Sequence, residues 1–138
     1  MDTDEVGLRF LTTAARLRRA VDEHMAATGA SLARTKVLRL LADLGPLNQA
    51  RLATELGLAA RSITQAVETM ERDGLVLRSA DADDRRAKVV TLTDTGLVAL
   101  SAGESAGQDL LHRVFGRLSA DQLTALDGLL AVIADYEP

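Results

Sequence analysis

From residue 4 to residue 28, apolar side chains recur every three or four positions. Leu8, Leu11 and Ala15 make one row, and Phe10, Ala14, Leu17 and Val21 another. This period predicts a helix with a wide apolar face, stopped by Gly29. A second helix is predicted from Ser31, whose hydroxyl can cap it, to about Leu44. Leu32, Val37, Leu38, Leu40 and Leu41 face inward and Gly45-Pro46 is the stop. Asn48 caps a short third helix that Gly57 ends, with Leu47 and Leu52 as a hydrophobic staple about its first turn. A fourth helix begins near Ala60. Ile63, Val67 and Met70 form its inner row, Arg61, Thr64, Gln65, Glu68 and Arg72 its outer face, and Leu58 with Ile63 repeats the staple spacing. Gly74 ends it.

Past Gly74 the pattern changes. Leu75–Arg78 and Lys88–Leu92 are rich in strand formers and flank a polar tip too long for a two-residue turn, so they predict a hairpin. Helical spacing returns with Thr93 as cap and Asp94 in the first turn, and continues to about Phe115, with Gly116 beyond. The middle of this fifth helix, residues 102–107, is made of small, weakly helix-forming residues. It either lets another helix approach closely or bends. Ser119 and Gln122 form a capping box stapled by Leu118 and Leu123. The sixth helix then carries Leu123, Leu126, Leu129, Leu130 and Ile133, a stripe suited to the chain's own core or to a dimer interface.

This order of elements singles out residues 47–92. Two short helices joined by a tight turn at Gly57 read as a helix-turn-helix, and the charged hairpin after them as a wing. A major-groove helix presents its first turns to base edges, which places Arg61, Ser62, Thr64 and Gln65 as candidate DNA contacts. Arg suits guanine, Gln suits adenine, and Thr suits a base hydrogen bond or the thymine methyl. Ala59, at the cap, offers no side-chain acceptor, so the free N–H groups need a phosphate or water. In the wing, Asp84, Arg85, Arg86 and Lys88 are the candidates. Arg85 or Arg86 suits a narrow minor groove, and Asp84 orients the arginine. The competing reading of the hairpin is a solvated loop. Arg16, Arg18 and Arg19 read as a solvated face, with a phosphate or ligand contact as the alternative.

Composition narrows the function classes. At 138 residues the chain is expected to form one domain spanning 1–138. Aromatics at 2% argue against stacking platforms for single strands, and the lack of cysteine excludes disulfides, thiolate metal sites and thiol sensing. The net charge of −4 argues against nucleic acid until it is divided. Residues 1–44 carry +1, residues 45–92 carry 0, and residues 93–138 carry −5, so the acid excess lies away from the candidate reading part. The acidic start is unlike a signal peptide, and the longest apolar run is too short to span a bilayer. The expectation is a cytoplasmic protein with no membrane role. His24 and His112 each stand alone, as surface or interface residues. No His-Glu-x-x-His, phosphate loop or nucleophile elbow occurs. The reading is therefore not an enzyme, with no catalytic residue, metal ligand or cofactor. The rival is a dimeric winged-helix protein-interaction module without DNA binding.

Several residues also carry a family resemblance. Leu52-Ala53, Leu56-Gly57-Leu58, Ser62-Ile63-Thr64 and Glu71-Arg72-Asp73-Gly74-Leu75-Val76 resemble the multiple-antibiotic-resistance regulator (MarR) family. So do Asp84-Arg85-Arg86-Ala87-Lys88 with Val90, Leu92-Thr93 and Gly96. The resemblance extends over essentially the whole chain. It implies a mainly α fold with a small β-hairpin wing: a winged helix-turn-helix over 31–92, with N- and C-terminal dimerisation helices at 1–28 and 94–138. It further implies a homodimer on a pseudo-palindromic double-stranded DNA operator. The fourth helix would lie in the major groove and the wing in the minor groove, with Asp84 bracing Arg86. The function implied is a transcriptional repressor released by a small aromatic or phenolic anion, whose binding residues stay unassigned. Two departures are Ala59, where a polar cap is common, and the scarcity of aromatics for a stacking-rich pocket.

Overall fold

The structure is a computed structural model and describes residues 1–137. Its elements follow the chain as α1 (Thr3–Ala26), α2 (Leu32–Leu44), β1 (Leu47–Asn48), α3 (Gln49–Leu56), α4 (Ala60–Arg72), β2 (Val76–Ala80), β3 (Lys88–Leu92), α5 (Asp94–Phe115) and α6 (Ala120–Ala134). The predicted caps form. The side chains of Ser31, Asn48, Thr93 and Ser119 accept from the backbone N–H groups of Arg34, Arg51, Gly96 and Gln122, and Ser119 with Gln122 completes a capping box. At Gly57 the chain turns with φ 64°, the left-handed conformation that lets α4 follow α3 within three residues. Ala59 caps α4 with no side-chain hydrogen bond.

One core joins α2, α3, α4, the sheet and the first half of α5. Leu38, Leu52, Ile63, Val67, Met70, Val76, Val90 and Leu100 are its largest fully buried members. The hairpin expectation is enlarged to a three-stranded sheet in the order β1-β3-β2. Leu47 and Asn48 pair antiparallel with Val90 and Val89. β2 and β3 pair from Val76–Leu92 out to Ala80–Lys88, which anchors the wing on the core.

The small stretch of α5 allows close approach, one of the two readings left open above. A Cβ on Gly103 would lie 2.8 Å from the Ala30 carbonyl oxygen, and one on Gly107 would lie 3.0 Å from Met25 Sδ. The end of α1 and the turn between α1 and α2 occupy the space those side chains would need.

Other expectations need correction. Leu58 is 50% exposed and Leu123 47% exposed, so these two staple positions lie at the surface rather than in the core. Most of the apolar face of α1 is open, with Leu8, Phe10 and Leu11 exposed, and α6 buries no residue. The Leu stripe therefore does not serve this chain's own core. No helix among the described residues is long and apolar enough to cross a membrane.

Candidate nucleic-acid interface

The position of α4 follows from its inner row. Ile63, Val67 and Met70 are buried at three- and four-residue spacing, which turns the opposite face outward. Arg61, Ser62, Gln65, Glu68 and Arg72 are accordingly exposed. Thr64 differs from its neighbours. It is half-buried, its hydroxyl donates to the Ala60 carbonyl at 3.0 Å, and it accepts from Gln49 Nε2 at 3.2 Å. The first two turns of α4 thus present Arg61, Ser62 and Gln65 freely, while Thr64 is tied back to α3.

The acids of the middle third are mostly used within the fold. Glu71 accepts from the Arg78 backbone N–H at 2.8 Å and from its guanidinium at 3.1 and 3.3 Å. These bonds, first the backbone one and then those of the side chain, hold the Glu71 carboxyl below the usual carboxylate range. Glu68 stands 3.8 Å from the same guanidinium. Asp73, capping the far end of α4, takes Arg34 of α2 at 2.6 Å, and Glu55 takes Arg51 at 3.5 Å. Arg61, Arg72, Arg85, Arg86 and Lys88 have no ion-pair partner among the described residues, and all five are exposed. Facing them in the balance are Asp81, Asp83 and Asp84, so a segment that is neutral by count presents a surplus of free cations.

The wing tip is a built turn. Asp81 N–H donates to the Ala87 carbonyl at 3.1 Å and Ala87 N–H to the Asp84 carbonyl at 3.0 Å. Asp84 Oδ1 accepts from the Arg86 backbone N–H at 3.0 Å, and Asp81 Oδ1 from that of Asp83 at 3.0 Å. Asp84 therefore orients Arg86 through its backbone, and the guanidinium is left free. This is the local Asx bonding that suits Asp to turns.

Sequence reasoning missed three residues that hold the interface. Arg78 ties the root of β2 to α4, Arg34 ties α4 to α2, and Gln49 lies behind Thr64. Only Gln49 left a local signal. It precedes the buried Leu52 and Ala53 by three and four positions, a polar residue on an inward face.

A concavity of about 500 Å³ lies between α1, α2 and the α3–α4 turn. Arg18, Arg19 and Lys36 line it with Leu32, Leu56 and Leu58, and none of its three cations has an ion-pair partner among the described residues. Its one carboxylate, Asp22, accepts from Leu32 N–H at 2.9 Å.

Comparison with known proteins agrees with this geometry. Residues 31–88 match the model of the MarR family. The chain is 33% identical over 86 residues to the transcriptional regulator HosA of Escherichia coli, covering 62% of this chain and 64% of that one. It spans just under two thirds of the length of the curated relatives it matches. The fold superposes on the YusO protein of Bacillus subtilis with a TM-score of 0.82, at 19% identity, over 99% of this chain and 100% of that one. It superposes on a mutant MarR of Escherichia coli complexed with operator DNA with a TM-score of 0.72, at 22% identity, over 94% of this chain and 93% of that one. The family-model match over residues 31–88 and the likeness to HosA make the chain similar to MarR family proteins, and the winged architecture it shares with the superposed structures is the fold of that family.

Proposed function

We propose that this protein is a homodimeric transcriptional regulator that binds double-stranded DNA sequence-specifically, in the cytoplasm. The observation that carries the reading is the sorting of charge in residues 45–92. Four of seven carboxylates are held in ion pairs, while Arg61, Arg72, Arg85, Arg86 and Lys88 stay free and exposed. Arg61, Ser62, Gln65 and the remaining acceptor of Thr64 read base edges in the major groove. Arg86, oriented through Asp84 and flanked by Arg85 and Lys88, enters the minor groove. That the mutant MarR of like fold is complexed with operator DNA supports the reading. A two-fold dimer of this kind sets half-sites about 10 base pairs apart, centre to centre.

The test is a binding titration against duplexes selected from a random pool. Affinity should fall steeply with salt, from counterion release. Arg86→Ala should weaken binding about ten-fold per half-site and flatten the salt slope by about one. Absence of any retarded complex at low salt would remove the reading.

Partners of the same chain supply the dimer. Val6, Leu8, Phe10 and Leu11 of α1 and Leu129, Leu130 and Ile133 of α6 form an exposed apolar surface, and 1–28 with 94–138 are the dimerisation segments. The action is repression, relieved by a small aromatic or phenolic anion in the cleft of Arg18, Arg19 and Lys36. That cleft adjoins both α1 and the turn that aims α4, and its size suits a small ligand. Benzoate should release labelled operator from the wild type, and Arg19→Ala should need about ten-fold more. Equal release from both proteins would exclude this cleft.

A further inference from the structure

We infer that Gln49 is a positioning residue that decides which bases Thr64 tolerates; the inference rests on the DNA-binding reading above. Gln49 opens α3, and its side chain runs along the same inward face as Leu52 and Ala53, toward α4. Its Nε2 donates to Thr64 Oγ1 at 3.2 Å, and that hydroxyl donates onward to the Ala60 carbonyl at 3.0 Å. A hydroxyl has one proton and two lone pairs. In Thr64 the proton and one lone pair are taken by the protein. What remains toward a ligand is one lone pair and the methyl group.

That remainder is selective. In the major groove adenine and cytosine offer amino protons and thymine a methyl, whereas guanine offers only the acceptors N7 and O6. A Thr64 held by Gln49 accepts the first three and rejects guanine. If Gln49 were apolar, the hydroxyl would regain freedom about χ1 and could turn its proton to guanine.

The same side chain carries a structural cost. Among the described residues, Gln49 Oε1 is the one buried side-chain polar atom without a hydrogen-bond partner. An unpaired buried carbonyl destabilises the folded state. Turning the amide over only exchanges the orphan, because Nε2 then loses Thr64, and the Thr64 proton is consumed either way. Methionine would fill the same space without an orphan. A residue that weakens the fold while immobilising a side chain on the reading helix is placed for recognition.

The experiment compares full-length wild type, Gln49→Met, Thr64→Val and the double variant in selection from a random duplex pool, with thermal unfolding of each. Thr64→Val identifies the base position that Thr64 faces. At that position wild type should disfavour guanine about ten-fold, and Gln49→Met should reduce this to about two-fold or less. Gln49→Met should unfold at the same or a higher temperature, and the double variant should match Thr64→Val. Unchanged base preference in Gln49→Met overturns the inference and leaves DNA binding standing. So does a uniform loss across all sequences with a lower unfolding temperature, the signature of packing alone. A wild type that enriches no motif at low salt overturns the DNA reading and this inference with it.

Discussion

Residues 30–100 and residues 120–134 use leucine in opposite ways. In the first region Leu38, Leu52 and Leu100 are at most 1% exposed and belong to one continuous core. In the second, Leu123, Leu129, Leu130 and Ile133 are 39–62% exposed, and no residue of α6 is buried. Both contain well-formed helices with side-chain caps, at Ser31, Asn48 and Thr93 in the first and Ser119 in the second, so local propensity does not separate them. The difference is the partner. The winged part covers most of its hydrophobic side chains with its own elements, leaving Leu44, Leu58, Leu77, Leu97 and Val98 as scattered exceptions. α6 and the start of α1 present theirs outward, on an area that an isolated soluble chain rarely exposes. In the homodimer proposed above, stability of the first region is a property of one chain, and that of the second is a function of protein concentration.

The sharpest way to break this contrast is to charge the stripe. Leu126 and Leu130 line both apolar concavities beside α6, one toward the end of α5 and one toward α1. Leu126→Asp with Leu130→Asp should raise the dimer dissociation constant about 1000-fold. Sedimentation should then report a single-chain mass with helix content kept in the winged part. A variant that still sediments like wild type would end the assignment of α6 to the interface. Next in size is Leu52→Ala, at a fully buried position. It should cost about 3 kcal/mol of unfolding free energy, read as a lower denaturant midpoint at unchanged slope, with the same loss at every protein concentration.

Two glycines sharpen the comparison further. Gly103 in α5 has Ala30 backbone where a Cβ would go, whereas a Cβ on Gly128 in α6 meets nothing within 4 Å. Gly103→Ala should destabilise by about 1–2 kcal/mol, since overpacking against backbone outweighs the gain in helix propensity. Gly128→Ala should stabilise by up to about 1 kcal/mol. Thermal unfolding of the pair checks the signs. Destabilisation by Gly128→Ala would mean that the partner chain packs over that face.

The elements were legible in sequence because their signals are local. Caps, glycine stops and three-to-four spacing lie within a few residues of what they determine, and the four capping side chains are those predicted. What escaped depends on distant partners. β1 is two residues long and exists only because Val89 and Val90 return to it. Arg34 meets Asp73 across 39 positions, and Arg39 meets Glu104 across 65. The bracing of Arg86 by Asp84 was legible because it is local, two positions apart; that it runs through the Arg86 backbone and leaves the guanidinium free was not. The exposure of α6 was open too: a leucine stripe does not say whose core it enters.

The smallest expected effect tests whether the winged part holds its reading surface alone. Glu71 lies on α4 and Arg78 on β2, so their bonds fix the root of the wing to the reading helix. The carboxyl is held below its ordinary value of 4.5, by the Arg78 backbone N–H first and its guanidinium second. A depressed carboxyl stabilises the fold fully above that value, and the contribution disappears as pH falls below it and through the folded-state value. Glu71→Gln keeps an acceptor and removes the charge. The variant should unfold at a slightly lower temperature than wild type at pH 7, and the two should converge on acidification below 4.5. Because both partners lie in one chain, the gap at pH 7 should not change with protein concentration. A gap that grew on dilution would tie the wing root to the dimer and erase the division between the two regions.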